Sequence, residues 1–213
     1  MSQNNLGNPA VVGLAGFGLT TIVLQCHNLG WCGIAPVIWL GLCFGGSAQL
    51  VAGLMEFKKA NNFGFCAFTA YGAFWIALCL MIIFGKNAEL VANYPVFAFS
   101  ETDLGFFLLA WTLFTGIMFI ASMKHNGTLA FIFLTLLLGF IGLDLKELTG
   151  NHLAGTFAAY DLLVCGASAL YLMAVNVYAE SGIRLPVGGS WLSVPESSPL
   201  ADESEDEEIS ATA

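Results

Sequence analysis

Residues 44–75 read FGGSAQLVAGLMEFKKANNFGFCAFTAYGAFW. Two apolar stretches meet here across a short basic turn that holds Lys58 and Lys59. The first ends in a face of small residues with one amide, Gly45, Gly46, Ser47, Ala48 and Gln49, followed by Glu56. The second opens on Asn61 and Asn62 and carries Thr69 and Tyr71. In a water-soluble helix each glycine costs about 1 kcal/mol against alanine. Between helices in lipid, small residues repay that cost by letting backbones approach closely. The stretch therefore predicts two membrane helices packed through small residues, with polar groups turned inward.

The rest of the composition extends the same reading. The chain has 213 residues, 57% of them hydrophobic and 10% charged, whereas a soluble domain is nearer a quarter charged. No acidic or basic side chain precedes Glu56; the only ionisable imidazole before it is His27. The net charge of -9 is misleading, because Asp202, Glu203, Glu205, Asp206, Glu207 and Glu208 crowd the C-terminal end, where they predict a solvated tail. That run argues against a nucleic-acid partner. No basic n-region precedes the first apolar stretch, so no cleavable secretory signal is expected.

A spanning helix needs about 20 apolar residues. Six segments meet this: 9–26, 34–55, 63–84, 104–122, 128–144 and 153–176. The expected fold is an all-α integral membrane protein. Residues 1–186 would form a six-helix transmembrane domain, and 187–213 an acidic, Ser- and Pro-rich disordered tail in which Ser204 offers a phosphorylation site. Lys58, Lys59, Lys124 and Arg184 fall on one side of such a bundle, and Lys86 and Lys146 on the other. The positive-inside rule then puts both termini in the cytosol, in a plasma, inner or organelle membrane.

Several polar positions stand out against the apolar background. Asn8 either caps the first helix or donates to an anion at its N-terminus, and the two roles are compatible. Gly13 lets a neighbour or a solute approach the backbone. Thr20 either bonds the preceding turn or lines a path. Gln49 and Thr69 lie inside their segments, where an unbonded polar group is costly; each serves as interhelical glue or as pore lining. Glu56, near the membrane edge, pairs with Lys58 or Lys59, or handles protons. Asp161 sits about two turns into the sixth segment, and a carboxylate at that depth marks function or an interfacial partner. The three histidines fall near segment ends, as solvated loop residues do. Cys26, His27 and Cys32 lack the close paired spacing of a zinc site, so neither metal nor cofactor is expected. No nucleophile–base set supports an enzyme.

Asn8-Pro9-Ala10 with Gly13, Gly16, Phe17, Gly18, Thr20 and Thr21, then Gly45-Gly46-x-Ala48-Gln49-x-x-Ala52-Gly53, then Thr69-x-Tyr71-Gly72-x-Phe74-Trp75, and finally Cys165-Gly166-Ala167-Ser168-Ala169-Leu170-Tyr171, together resemble the acetate uptake transporter family, the succinate–acetate permeases. The likeness runs from residue 8 to about 186. One departure is Val11, where the family commonly continues Asn-Pro-Ala with a second proline.

The resemblance implies six helices per protomer, a homo-hexameric ring and one pore per protomer. It also implies acetate and other short carboxylates, succinate among them, as solutes, and a hydrophobic constriction at Phe17, Tyr71 and Leu129. On this reading Asn8, Gly13, Thr20, Gln49 and Thr69 belong to the substrate path. Two rivals remain: proton-coupled symport through Asp161 or Glu56, and a non-transporting membrane signalling or assembly protein.

Overall fold

The computed structural model describes residues 7–192, and among these every regular element is helical. Helix α1 spans Pro9–Asn28. A continuous rod follows, made of α2 (Ala35–Leu42), a π-helical turn (Cys43–Ala48) and α3 (Gln49–Lys58). Then come α4 (Asn62–Gly85), α5 (Ala88–Asn93), α6 (Glu101–Ser122), α7 (Gly127–Thr149) and α8 (His152–Glu180). Six rods are long and apolar enough to cross a bilayer, with Ala35–Lys58 as one of them. The six segments read from sequence are all present, each slightly longer than expected. The connection before α6 folds into α5 and a 3-10 turn at Pro95–Phe97.

Side-chain caps set the helix starts. Asn8, Asn61, Asn126 and Asn151 each accept a backbone N–H of the first turn of α1, α4, α7 and α8. Ser100 and Asp103 form a reciprocal capping box on α6. These bonds satisfy donors that an apolar environment cannot. Gly150, at φ 72°, ends α7 in the left-handed region that glycine tolerates.

Small residues decide which helices touch. A Cβ on Gly18 would lie 2.8 Å from the Gly166 carbonyl, so α1 and α8 pack backbone to backbone. Gly45 packs against Thr20 of α1, and a Cβ on Gly72 of α4 would lie 2.7 Å from the Leu50 amide nitrogen. The small-residue face of the second rod thus packs within the chain. The π turn was not anticipated. It falls on Cys-Phe-Gly-Gly-Ser-Ala, where paired glycines tolerate the wider coil, and the Ser47 hydroxyl donates to the Leu42 carbonyl five residues back at 2.7 Å.

Contacts run α6–α7–α8–α1, then through the second rod to α4. The ring closes between α4 and α6 through aromatic side chains. Phe74 stacks on Phe107 at 5.7 Å and meets Trp111 edge-on at 5.2 Å. Rings there hold the backbones apart and leave room for the cavities described below.

The chain after α8 does not leave the bundle. Residues 183–192 form a strap across the start of α7, where the Val187 carbonyl accepts from the Thr128 amide at 2.8 Å. Residues 187–192 pack with the helices, because their carbonyls cap amides of α7 that would otherwise be unpaired. The acidic run and Ser204 lie outside the described residues.

Candidate functional site

A cavity of about 360 Å³ opens at the end of the bundle where α1, α4 and α7 begin and α8 ends. Its wall is largely apolar, with Leu14, Phe17, Phe68, Tyr71, Leu129, Phe133 and Leu136 on it. Gln49, Asn61, His125, Asn126 and Asn176 are its polar groups. A second cavity, about 720 Å³, opens at the other end, with Leu24, Leu78, Leu108, Leu143, Lys86 and Lys146 on its wall.

The two cavities are separated by the same interval on three helices. The deepest residues of the first are Phe17, Tyr71 and Leu136; seven positions further along their helices, Leu24, Leu78 and Leu143 line the second. At about 1.5 Å per residue this is a plug about 10 Å thick. Buried side chains fill it: Phe74 and Trp75 on α4 and Phe140 on α7, with Phe74 edge-on to Phe140 at 5.7 Å.

Phe17, Tyr71 and Leu129 all lie on the first cavity's wall. The Phe17 and Tyr71 rings are 5.9 Å apart, and the Tyr71 hydroxyl hydrogen-bonds the Thr115 hydroxyl at 2.8 Å. Phe140, in the plug itself, was not singled out from sequence, and Phe74 was named there only as part of a motif. Nothing in a run of apolar residues says which one faces a gap.

Gln49 reaches the cavity beside Gly16, where an added Cβ would lie 3.5 Å from the Cβ of Gln49. Gln49 is fully buried, and neither end of its amide has a protein partner among the described residues. The neighbouring amides differ. Asn61 accepts from the Gly64 amide at 3.1 Å and donates to Glu56 at 2.8 Å. Asn176 accepts from Asn8 at 3.2 Å and donates to the Leu172 carbonyl at 2.8 Å. The Asn126 oxygen is used in its cap, leaving its NH₂ group free of protein partners among the described residues. Asn8 thus both caps α1 and braces the wall through Asn176.

Other sequence candidates lie off the wall. A Cβ at Gly13 would collide with the Phe68 ring at 2.6 Å, so this glycine seats α4 on α1. Thr20 is buried against Gly45. Thr69 donates to the Phe65 carbonyl at 2.6 Å and packs on Gly53. Each of these three faces a neighbouring helix.

Glu56 is buried and bonds Asn61; it makes no ion pair with Lys58 or Lys59, which point to the exposed turn. Asp161 is half-buried with one oxygen unpartnered, and it lines neither cavity. Sequence reasoning passed over two residues. Asp144 is buried on α7 and accepts from Thr112 at 2.6 Å. His125, expected to be a solvated loop residue, lies on the cavity wall against Phe63 at 4.7 Å. The clue for Asp144 was its position in an apolar helix; for His125 the sequence held none.

A family model described as the GPR1/FUN34/yaaH family matches residues 1–188. The succinate-acetate/proton symporter SatP of Escherichia coli K12 is 40% identical over 193 residues, covering 89% of this chain and all of that protein. Acetate permease A of Emericella nidulans is 37% identical over 147 residues, 66% of this chain and 49% of that protein. Among solved structures, that of the bacterial acetate channel SatP superposes with a TM-score of 0.80 at 40% identity, over 86% of this chain and all of that one.

Proposed function

The chain belongs to the GPR1/FUN34/yaaH family, and on that premise we propose how it works: it transports acetate and related small carboxylates, succinate among them, across the membrane. It is a multi-pass membrane transporter and not an enzyme. The path runs from the first cavity through the plug to the second. Phe17, Tyr71 and Leu129 narrow it, and Phe74 and Phe140 extend the dry zone. The Gln49 amide, the Asn126 NH₂ and His125 replace part of the carboxylate's hydration, while the apolar wall accepts its methyl group. Two free amide donors bind an anion weakly enough for it to leave again, as conduction requires.

One observation carries this reading: Gln49, fully buried on the cavity wall at the level of the neck, has no partner among the described residues for either amide atom. A buried polar group without a partner costs about 1–3 kcal/mol, and a solute that bonds it offsets that cost. Radiolabelled acetate uptake by the purified protein in liposomes tests the proposal; absence of flux overturns it.

Six copies form a ring with one path each, and both termini face the cytosol of a plasma or inner membrane. Both described ends of the chain lie at the same end of the bundle, with Lys58, Lys59, Lys124 and Arg184. The positive-inside rule supports that orientation. Residues 1–186 act as the permease domain, with the strap that follows packed against it.

A second reading, proton-coupled symport, is favoured by the plug. Carrying a bare carboxylate through about 10 Å of apolar packing costs far more than carrying the neutral acid. Glu56 beside the first cavity, Asp161, and Asp144 next to the second are the residues able to pass a proton. An imposed pH gradient decides: uphill acetate accumulation establishes coupling.

A further inference from the structure

We propose that Val187, carried on the strap of residues 183–192, is a specificity-determining residue that sets the size of carboxylate admitted to the first cavity. This rests on the carboxylate path proposed above. Of the strap, Val187 alone lies on the cavity wall, and its side chain packs on the hydrophobic core. It stands at the mouth, with Ala10, Asn61 and Asn126 from the starts of α1, α4 and α7. A solute reaching Gln49 from this side passes it.

The strap is fastened along its length. The Val187 carbonyl accepts from the Thr128 hydroxyl at 3.0 Å as well as from its amide. The Tyr171 hydroxyl donates to the Pro186 carbonyl at 2.7 Å. The amides of Trp191 and Leu192 donate to the Met123 carbonyl at 2.9 and 3.1 Å, and the Trp191 ring meets Phe119 edge-on at 6.4 Å. Two glycines make so close a course feasible. Gly188 has φ 71°, a left-handed conformation that glycine adopts without strain. A Cβ on Gly127 would lie 3.2 Å from the Gly189 carbonyl. Bonds on both sides of Val187 hold its side chain at one place in the mouth. Tyr171, which reaches the strap one residue before Val187, is a positioning residue.

The test compares wild type with Val187→Ala, Val187→Phe and Tyr171→Phe in liposomes. Val187→Ala should raise the succinate-to-acetate uptake ratio on the order of tenfold, the discrimination that one methylene exerts in an apolar pocket. Val187→Phe should lower it. Tyr171→Phe should move the ratio in the direction of Val187→Ala by about fivefold, the factor that one lost hydrogen bond gives. An unchanged ratio in both Val187 variants overturns the proposal.

A transport-independent arm separates this from the acetate reading. A cysteine at Ala67, on the cavity wall, is placed in a background with Cys26, Cys32, Cys43 and Cys66 changed to serine. A charged methanethiosulfonate should label it faster in Val187→Ala and slower in Val187→Phe. If wild type carries no acetate but labelling follows this order, the transport reading fails while Val187's role at the mouth stands. If labelling does not respond, the role of Val187 is refuted.

Discussion

Gln49→Leu separates a structural amide from one that serves a solute, because the two roles predict opposite signs. Leucine has nearly the volume of glutamine and adds no bulk to the helix seam. If the amide glued helices together, its loss would strand a partner and destabilise the protein by about 1–3 kcal/mol. Among the described residues there is no partner to strand: both amide atoms are unbonded and the residue is fully buried. Replacing it with an apolar side chain therefore removes an unpaired polar group, and stability should stay level or rise. For a chain of this size a gain of 1 kcal/mol corresponds to about 2–4 °C in Tm. Transport should move the other way. A hydrogen bond to a charged group contributes about 1.5–3 kcal/mol, so acetate uptake should fall by about tenfold or more. The assay pairs thermal unfolding in detergent with initial-rate uptake in liposomes, normalised to folded protein. A lowered Tm with unchanged uptake would show that the amide holds the bundle together, and it would refute the reasoning that gives it to the solute.

Phe17→Ala removes a ring from the proposed neck, 5.9 Å from Tyr71; acetate flux should rise and the range of solutes widen toward lactate and succinate, as measured by parallel uptake assays. Gly45→Leu would drive a side chain into Thr20 of α1. It should lower the yield of folded protomer, on the scale of several kcal/mol of overpacking, and size-exclusion chromatography in detergent reads that loss directly. Asp161→Asn and Asp144→Asn test proton handling. Whichever carboxylate carries the proton should lose the pH dependence of uptake when neutralised, while a folded variant with an unaltered pH profile removes that residue from coupling.

Membrane residence and helix count were legible because they depend on local quantities. A lipid-exposed backbone must bond to itself, so each crossing needs an unbroken apolar run, and the chain displays six. The cap position was equally readable at Asn8, since its side chain bonds only two residues ahead. The motif resemblance placed Phe17, Tyr71 and Leu129 together, and all three line one cavity.

What a side chain faces was not legible. Gly13, Thr20 and Thr69 have the same small or polar character as lining residues, yet each meets another helix. That depends on helix rotation, which the aperiodic hydrophobicity of a buried membrane helix does not encode. The π turn at Cys43–Ala48 shifts the facing of everything after it by part of a turn, and this delivers Gln49 to the cavity. The pairing of Asp144 with Thr112, the cavity position of His125 and the return of residues 183–192 over α7 join positions from 32 to about 60 residues apart. Composition and spacing thus determined the solvent, the number of crossings and their ends. Only tertiary packing decided which polar groups face neighbouring helices and which face a space, because that division is made between helices and not along them.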